Sequence, residues 1–97
     1  MEEQVVVIGE VKAFPNAKAN KEQALKVLEE AAEVFGAWQS YHLTNNERFT
    51  RNNLLMEIAD VIQACVNLAS ALDEFDLTYD MKCCELRNRK RGRYDAN

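Results

Sequence analysis

The hydrophobic positions of this chain recur every three or four residues over most of its length. In the first long segment the repeating positions are Ala24, Leu28, Ala31, Phe35 and Trp38. This spacing places them on one face of an α-helix. In the second segment, residues 54–72, apolar side chains occur almost all the way around the helix, so we expect this helix to be covered on more than one side.

Capping residues and helix breakers indicate where the helices begin and end. Asn20 with Gln23 has the spacing of a capping box at a helix N-terminus. Thr44 with Glu47 repeats this pattern before the second helix, and Gly92 is placed to end the third. The pattern predicts helices near residues 20–38, 45–74 and 78–91.

The predicted fold class is all-α: a helical bundle of about three main helices with a short extended N-terminal arm, completed by oligomerisation. The 97 residues suffice for one small domain, residues 1–97, but not for enough helices to surround the second one. The β-branched run 5–8 predicts a strand or an extended arm that packs on a partner. Pairing of two copies through the second helix would bury its apolar surface, so we expect a homo-oligomer, either a dimer or a tetramer.

Two carboxylates interrupt the apolar second segment. Glu57 and Asp60 are its only charged residues, and burial of an ionised carboxylate is costly unless the charge is paired. Glu30 and Glu33 border the apolar stripe of the first helix, so packing of the two helices can bring four carboxylates together. A set of oxygen ligands favours Mg²⁺, with Mn²⁺ as a substitute. Lysine or arginine partners from elsewhere in the chain are the alternative.

These acids also carry a family resemblance. Glu29-Glu30-x-x-Glu33, followed after 23 residues by Glu57-x-x-Asp60, resembles the paired motif of the MazG-like, all-α nucleoside triphosphate pyrophosphatases, and their short phage-type or prophage-type members in particular. The resemblance covers residues 20–72. It implies Mg²⁺-dependent cleavage of a nucleoside triphosphate to a monophosphate and pyrophosphate, as nucleotide-pool housekeeping. The metal ligands that it implies are Glu30, Glu33, Glu57 and Asp60.

Other side chains are candidates for catalysis and substrate binding. A carboxylate that the metal does not fully engage, Glu29 or Glu33, is the candidate catalytic proton acceptor. The candidate substrate-binding residues are Trp38, Gln63, Asn67, Lys90 and Arg91. Gln63 and Asn67 could equally be hydrogen-bonded interface residues, and the two basic residues could equally be a solvated helix end.

The charge of the chain is unevenly distributed. The net charge is −4, yet six of the 12 basic residues lie after residue 81. An acidic body with one basic end is poorly suited to duplex nucleic acid, which needs an extended positive surface. Basic side chains at one end can instead neutralise a triphosphate. We therefore expect a nucleoside triphosphate substrate and no nucleic-acid partner.

Several other classes of protein are disfavoured. The three cysteines and one histidine do not have zinc-ligand spacing, and the odd number of cysteines indicates reduced thiols in a cytoplasmic protein. The apolar run after Asp60 is too short and too polar to span a membrane. Two non-enzymatic alternatives stay open: a helical oligomerisation module, and a small nucleic-acid accessory protein that uses the basic residues between 82 and 93.

Overall fold

Helices account for the regular secondary structure in the computed structural model, which describes residues 2–95. Helix α1 spans Lys21–Leu43, α2 spans Arg48–Ala71 and α3 spans Thr78–Lys90. No β-strand occurs in the described range. The predicted all-α class with three main helices is therefore confirmed.

Helices α1 and α2 pack against each other as an antiparallel hairpin. At its open end the side-chain Nε2 of Gln23 donates a hydrogen bond to the carbonyl oxygen of Ala64 at 3.2 Å. Near the connection, the hydroxyl oxygens of Thr44 and Thr50 lie 2.7 Å apart. Helix α3 packs on neither helix within residues 2–95. The hairpin is thus the unit that positions side chains from two helices against each other.

The N-terminus of α1 is capped as the sequence predicts. The Oδ1 atom of Asn20 accepts a hydrogen bond from the backbone N–H of Gln23 at 3.0 Å. The reciprocal half of the capping box is replaced, because the Gln23 side chain reaches across to α2. A local contact is thereby exchanged for one that joins the two helices.

Helix α1 is longer than predicted. It continues past the predicted end at residue 38 and reaches Leu43. The helix includes Gly36, although glycine costs a helix about 1 kcal/mol relative to alanine. The adjacent Ala37 is buried, and packing at this position keeps the helix intact through the glycine.

The predicted capping box before α2 is wrong. The hydroxyl of Thr44 donates to the carbonyl oxygen of Ser40 at 2.9 Å, so Thr44 closes the C-terminal end of α1 instead. Asn45 and Asn46 then adopt left-handed conformations with φ of 61° and 65°. These two residues reverse the chain, and α2 begins at Arg48 rather than near residue 45.

Left-handed residues follow the C-terminal ends of α2 and α3. Helix α2 ends at residue 71, three residues before the predicted boundary, and Asp73 has a φ of 61°. The prediction that Gly92 ends α3 is confirmed, because it has a φ of 73°. Its N–H donates to the carbonyl oxygen of Arg89 at 3.0 Å, and the N–H of Arg93 donates to that of Asn88 at 3.0 Å. This pair of bonds is a Schellman motif.

Residues 2–18, called the N-terminal segment below, form neither helix nor strand. The strand alternative for residues 5–8 is therefore wrong, and the packing of this run on a partner stays a prediction. Val7 in this run is 88% exposed. The segment is tied to α3 by Glu3, whose two carboxylate oxygens accept hydrogen bonds from the Arg89 guanidinium at 2.8 Å each.

The hairpin leaves much of its apolar surface exposed. Only Ala37, Ala64 and Asn67 are buried in the part of the chain that the structure describes. Leu28 and Phe35 of α1 are 66% and 60% exposed. The expectation of no membrane span was based only on the run after Asp60. Taken over its full length, Arg48–Ala71, helix α2 is long and apolar enough to cross a membrane by length and composition alone, a test that the core helices of soluble proteins pass as well.

Candidate metal centre

The hairpin brings together carboxylates from both of its helices. Glu30 and Glu33 lie one turn apart on α1, so they share a face of that helix. Glu57 of α2 faces them, and one carboxylate oxygen from each of the three residues lies within 4.8 Å of the others. We call these three residues the carboxylate cluster. Three of the four predicted metal ligands are therefore close enough to bind one ion.

The carboxylate cluster contains an unsatisfied buried oxygen. The Oε2 atom of Glu57 is buried and has no hydrogen-bond partner among the described residues. The side chain of Glu30 is only 16% exposed, whereas Glu33 is exposed. A buried carboxylate oxygen without a donor is unfavourable, and a bound cation would remove this penalty.

The electrostatics of the site favour protonated carboxyls or a bound cation. Loss of hydration raises the pKa of Glu57, and the neighbouring charges of Glu33 and Asp60 raise it further. The pKa of Glu30 is raised by the same causes, in the same order, and is partly lowered by Lys26. The ionised cluster is therefore self-repelling, and a divalent cation would relieve the repulsion.

Asp60 lies beside the carboxylate cluster rather than within it. It follows Glu57 by three residues on α2, and the three-oxygen group does not include it. It is close enough that its negative charge raises the pKa values of Glu30 and Glu57. The structure thus places the fourth predicted ligand next to the other three.

Glu29 lies outside the carboxylate cluster and pairs with Lys26, which was not among the predicted site residues. Its Oε2 lies 3.6 Å from the Nζ of Lys26, and its side chain is 63% exposed. The same Nζ lies 3.9 Å from Oε1 of Glu30. Lys26 precedes these acids by three and four residues, and this helical spacing is the sequence signal that identifies it.

A cavity of about 510 Å³ lies between the N-terminal segment and the hairpin, directly beside the acids. It opens to solvent, and its wall combines acidic, basic and amide side chains. The lining residues are Phe14, Asn16, Ala17, Lys18, Asn20, Glu22, Gln23, Lys26, Glu30, Asp60, Gln63, Ala64 and Asn67. Glu30 and Asp60 connect the cavity to the acidic site, so a molecule in the cavity would reach the carboxylates.

Gln63 and Asn67 hold the N-terminal segment against α2. The Nε2 of Gln63 donates to the carbonyl oxygen of Lys12 at 2.9 Å and to the Oδ1 of Asn67 at 2.9 Å. The same Oδ1 accepts the backbone N–H of Phe14 at 2.9 Å. Both amides are hydrogen-bonded within the chain, and both also line the cavity.

Three predicted substrate contacts lie elsewhere. Trp38 stacks between Phe35 and His42, with ring centroids 6.0 and 5.2 Å apart, and it does not line the cavity. Lys90 and Arg91 are exposed at the C-terminal end of α3. Helix α3 does not pack on the hairpin in the described chain. Lys90 and Arg91 therefore do not reach the carboxylate cluster of their own chain.

The donor set of the site suits a hard divalent cation. It consists of carboxylate oxygens on two helices, one of them buried and unsatisfied, and it adjoins a cavity with two lysines in its wall. No protein-family model, curated protein or solved structure matches this chain.

Proposed function

We propose that this protein is a Mg²⁺-dependent nucleoside triphosphate pyrophosphohydrolase, which cleaves a ribo- or deoxynucleoside triphosphate to a monophosphate and pyrophosphate. The observation that carries this proposal is the close approach of Glu30, Glu33 and Glu57, together with the buried and unsatisfied Oε2 of Glu57. The resemblance of the two acidic motifs to MazG-like pyrophosphatases supports the same activity. Mn²⁺ is the expected substitute for Mg²⁺.

Glu30, Glu33 and Glu57 would hold the cation, with Asp60 beside them as the fourth acid. Mg²⁺ is commonly bound by a few protein carboxylates together with waters and substrate phosphates. When bound, it would neutralise phosphate charge and activate water for attack on phosphorus. The protein carboxylates would not fill all the coordination positions of Mg²⁺, so positions would remain for waters and for substrate phosphates.

Glu33 is the better placed of the two candidate proton acceptors. It is exposed and lies within the carboxylate cluster, whereas Glu29 is outside it and paired with Lys26. In the proposed reaction a water oxygen forms a bond to the α-phosphorus while the bond from that phosphorus to the bridging oxygen breaks. The carboxylate of Glu33 accepts the proton of the water, and pyrophosphate leaves.

Two lysines in the cavity wall can balance the charge of the phosphates. Lys26 and Lys18 line the cavity that Glu30 and Asp60 border. A triphosphate brings more negative charge than one divalent ion neutralises, so nearby ammonium groups favour its binding. Lys90 and Arg91 would serve this purpose only from a neighbouring copy in the proposed dimer or tetramer.

A pyrophosphate-release assay tests the proposed activity. Wild type is incubated with a panel of canonical and modified nucleoside triphosphates in Mg²⁺, in Mn²⁺ and in EDTA. We expect release with either metal and none in EDTA. Glu57→Gln removes one carboxylate ligand of the proposed cation. It should lower kcat/KM by at least about a hundredfold, because loss of such an electrostatic interaction costs several kcal/mol of transition-state stabilisation. The matched control Glu74→Gln changes an exposed acid outside the site and should leave the rate unchanged.

A non-enzymatic oligomerisation module is the second candidate, and the exposed apolar surface of the hairpin favours it. Leu28 and Phe35 of α1 are exposed. Met56 of α2 and Leu72, which directly follows α2, are each 65% exposed. In a module the acids would pair with basic residues of a neighbouring copy. Mg²⁺ would then not raise the melting temperature, and no nucleotide in the panel would be hydrolysed.

A further inference from the structure

The cavity beside the carboxylate cluster has the size and position of a substrate pocket. Its volume of about 510 Å³ falls in the range of pockets that bind small molecules. Glu30 belongs both to its wall and to the carboxylate cluster. A molecule with phosphates at one end could therefore place them at the acids while the rest of it occupies the cavity.

One wall of this cavity comes from the N-terminal segment. Phe14, Ala17 and Lys18 face residues of α2 across the space. The segment is held there by the hydrogen bonds that join Lys12 and Phe14 to Gln63 and Asn67. These bonds make the segment part of the pocket, although its sequence contains none of the acids that define the metal site.

Asn67 has a fixed orientation at the floor of this pocket. Its side-chain oxygen accepts hydrogen bonds from Phe14 N and Gln63 Nε2, and a backbone N–H can only donate, so the oxygen cannot exchange places with the amide nitrogen. Asn67 is only 4% exposed and lines the cavity. The side-chain hydrogen bonds of Asn67 among the described residues are made by its oxygen, which leaves Nδ2 as a donor available to a ligand.

We infer that the cavity binds the nucleoside part of the substrate, and that Asn67 determines specificity by donating a hydrogen bond to an acceptor atom of the base. The inference rests on the proposed function for the identity of the ligand. It adds a binding site built from the N-terminal segment and α2. It also predicts that a carbonyl group at the contacted position of the base is preferred over an amino group.

Filling the cavity tests the location of the pocket. Ala17 lines the cavity, whereas Ala19 in the same stretch of chain is exposed and does not. Ala17→Trp should weaken binding of nucleoside 5′-monophosphates, measured by calorimetry without metal, by at least about tenfold. Ala19→Trp adds the same bulk outside the cavity and should leave the affinity unchanged. Both variants should retain the stabilisation by Mg²⁺ that reports an intact fold and carboxylate cluster.

Asn67→Asp tests the donor. The carboxylate keeps an acceptor for Phe14 and Gln63 but replaces the donor with a second acceptor. The preference for uridine over cytidine monophosphate, which differ by a 4-oxo and a 4-amino group, should fall by about 10- to 100-fold in this variant. Asn52→Asp makes the same change at an exposed position of α2 that does not line the cavity, and it should leave the preference unchanged.

The outcomes separate this inference from the proposed activity. If wild type hydrolyses triphosphates and Ala17→Trp binds and hydrolyses them equally well, the pocket is wrong and the activity stands. If no triphosphate is hydrolysed but monophosphates bind to wild type and not to Ala17→Trp, the pocket stands and the activity is wrong. An unchanged base preference in Asn67→Asp would overturn the role of Asn67.

Discussion

A carboxylate oxygen of Glu33 on α1 lies within 4.8 Å of one of Glu57 on α2, although no proton donor satisfies the buried Oε2 of Glu57 within residues 2–95. Two acids from facing helices approach closely in a small protein that has few buried contacts to offset their repulsion. A site that binds a cation accounts for this arrangement, because the ion would turn the repulsion into attraction.

Divalent cations should stabilise the folded protein. A ligand present at about ten times its Kd adds about 1.4 kcal/mol to the free energy of unfolding, which raises the Tm of a domain of this size by roughly 5–10 °C. Thermal unfolding with Mg²⁺ or Mn²⁺ measures this shift. Glu57→Gln should weaken metal binding by at least about tenfold, while Glu74→Gln should behave as wild type. A metal-independent Tm in wild type would rule out the site.

The stability of the metal-free protein should rise when the pH falls moderately below neutral. The pKa values of Glu30 and Glu57 are raised in the folded state, chiefly by loss of hydration and then by the charge of Glu33. The folded state therefore takes up protons before the unfolded chain does, and the free energy of unfolding increases as the pH falls through the raised pKa values. The gain is complete near pH 4, where the unfolded carboxyls are also protonated.

Metal binding should have the opposite pH dependence, because the cation competes with protons for the same oxygens. Acidification from neutral pH should weaken Mg²⁺ affinity and reduce the metal-induced shift in Tm. Glu3 lies outside the site, and its hydrogen bonds with Arg89 lower its pKa. The stability that this ion pair contributes to the folded protein is therefore lost only at more acidic pH. Titrations of Tm with and without Mg²⁺ measure both trends, and Glu57→Gln should flatten each of them.

The hairpin and the acidic pairs could be anticipated from sequence because both follow from helical periodicity. Glu30 and Glu33 are spaced by one turn, as are Glu57 and Asp60, so a prediction that two helices pack through their apolar faces also places acids near each other. The connection was less predictable. Thr44 can cap the helix before it or the helix after it, and only the left-handed Asn45 and Asn46 decide between these alternatives.

The cavity could not be anticipated in the same way. Residues 12–18 have no periodic pattern, and their position depends on two hydrogen bonds: Gln63 donates to the carbonyl oxygen of Lys12, and Asn67 accepts from the N–H of Phe14. Every residue offers similar backbone groups, so the sequence does not indicate which ones are used. The sequence likewise does not indicate which basic side chains face the site, and the structure places Lys90 and Arg91 outside the site of their own chain.

Two glycines should respond oppositely to substitution by alanine. Gly36 lies inside α1 and a Cβ there would meet open space, so Gly36→Ala should stabilise the protein by up to about 1 kcal/mol. Gly92 has a φ of 73°, and a Cβ there would approach Oδ2 of Asp95 at 2.9 Å. Gly92→Ala should therefore destabilise the end of α3, by about 1 kcal/mol. Chemical denaturation and amide exchange in α3 measure the two effects, and equal responses would contradict the assigned backbone conformations.

Lys26 should matter for substrate binding more than for stability. Its ammonium lies 3.9 Å from Oε1 of Glu30 and lines the cavity, so it is placed to contact a phosphate once a cation neutralises the acids. Its exposed ion pairs contribute at most about 1 kcal/mol to folding. Lys26→Ala should raise the KM for a triphosphate by about tenfold with a small change in Tm, because one charge-assisted contact is lost. Lys21→Ala removes an exposed lysine of the same helix that does not line the cavity, and it should leave KM unchanged. Equal effects of the two substitutions would show that Lys26 acts only through the overall charge of the protein.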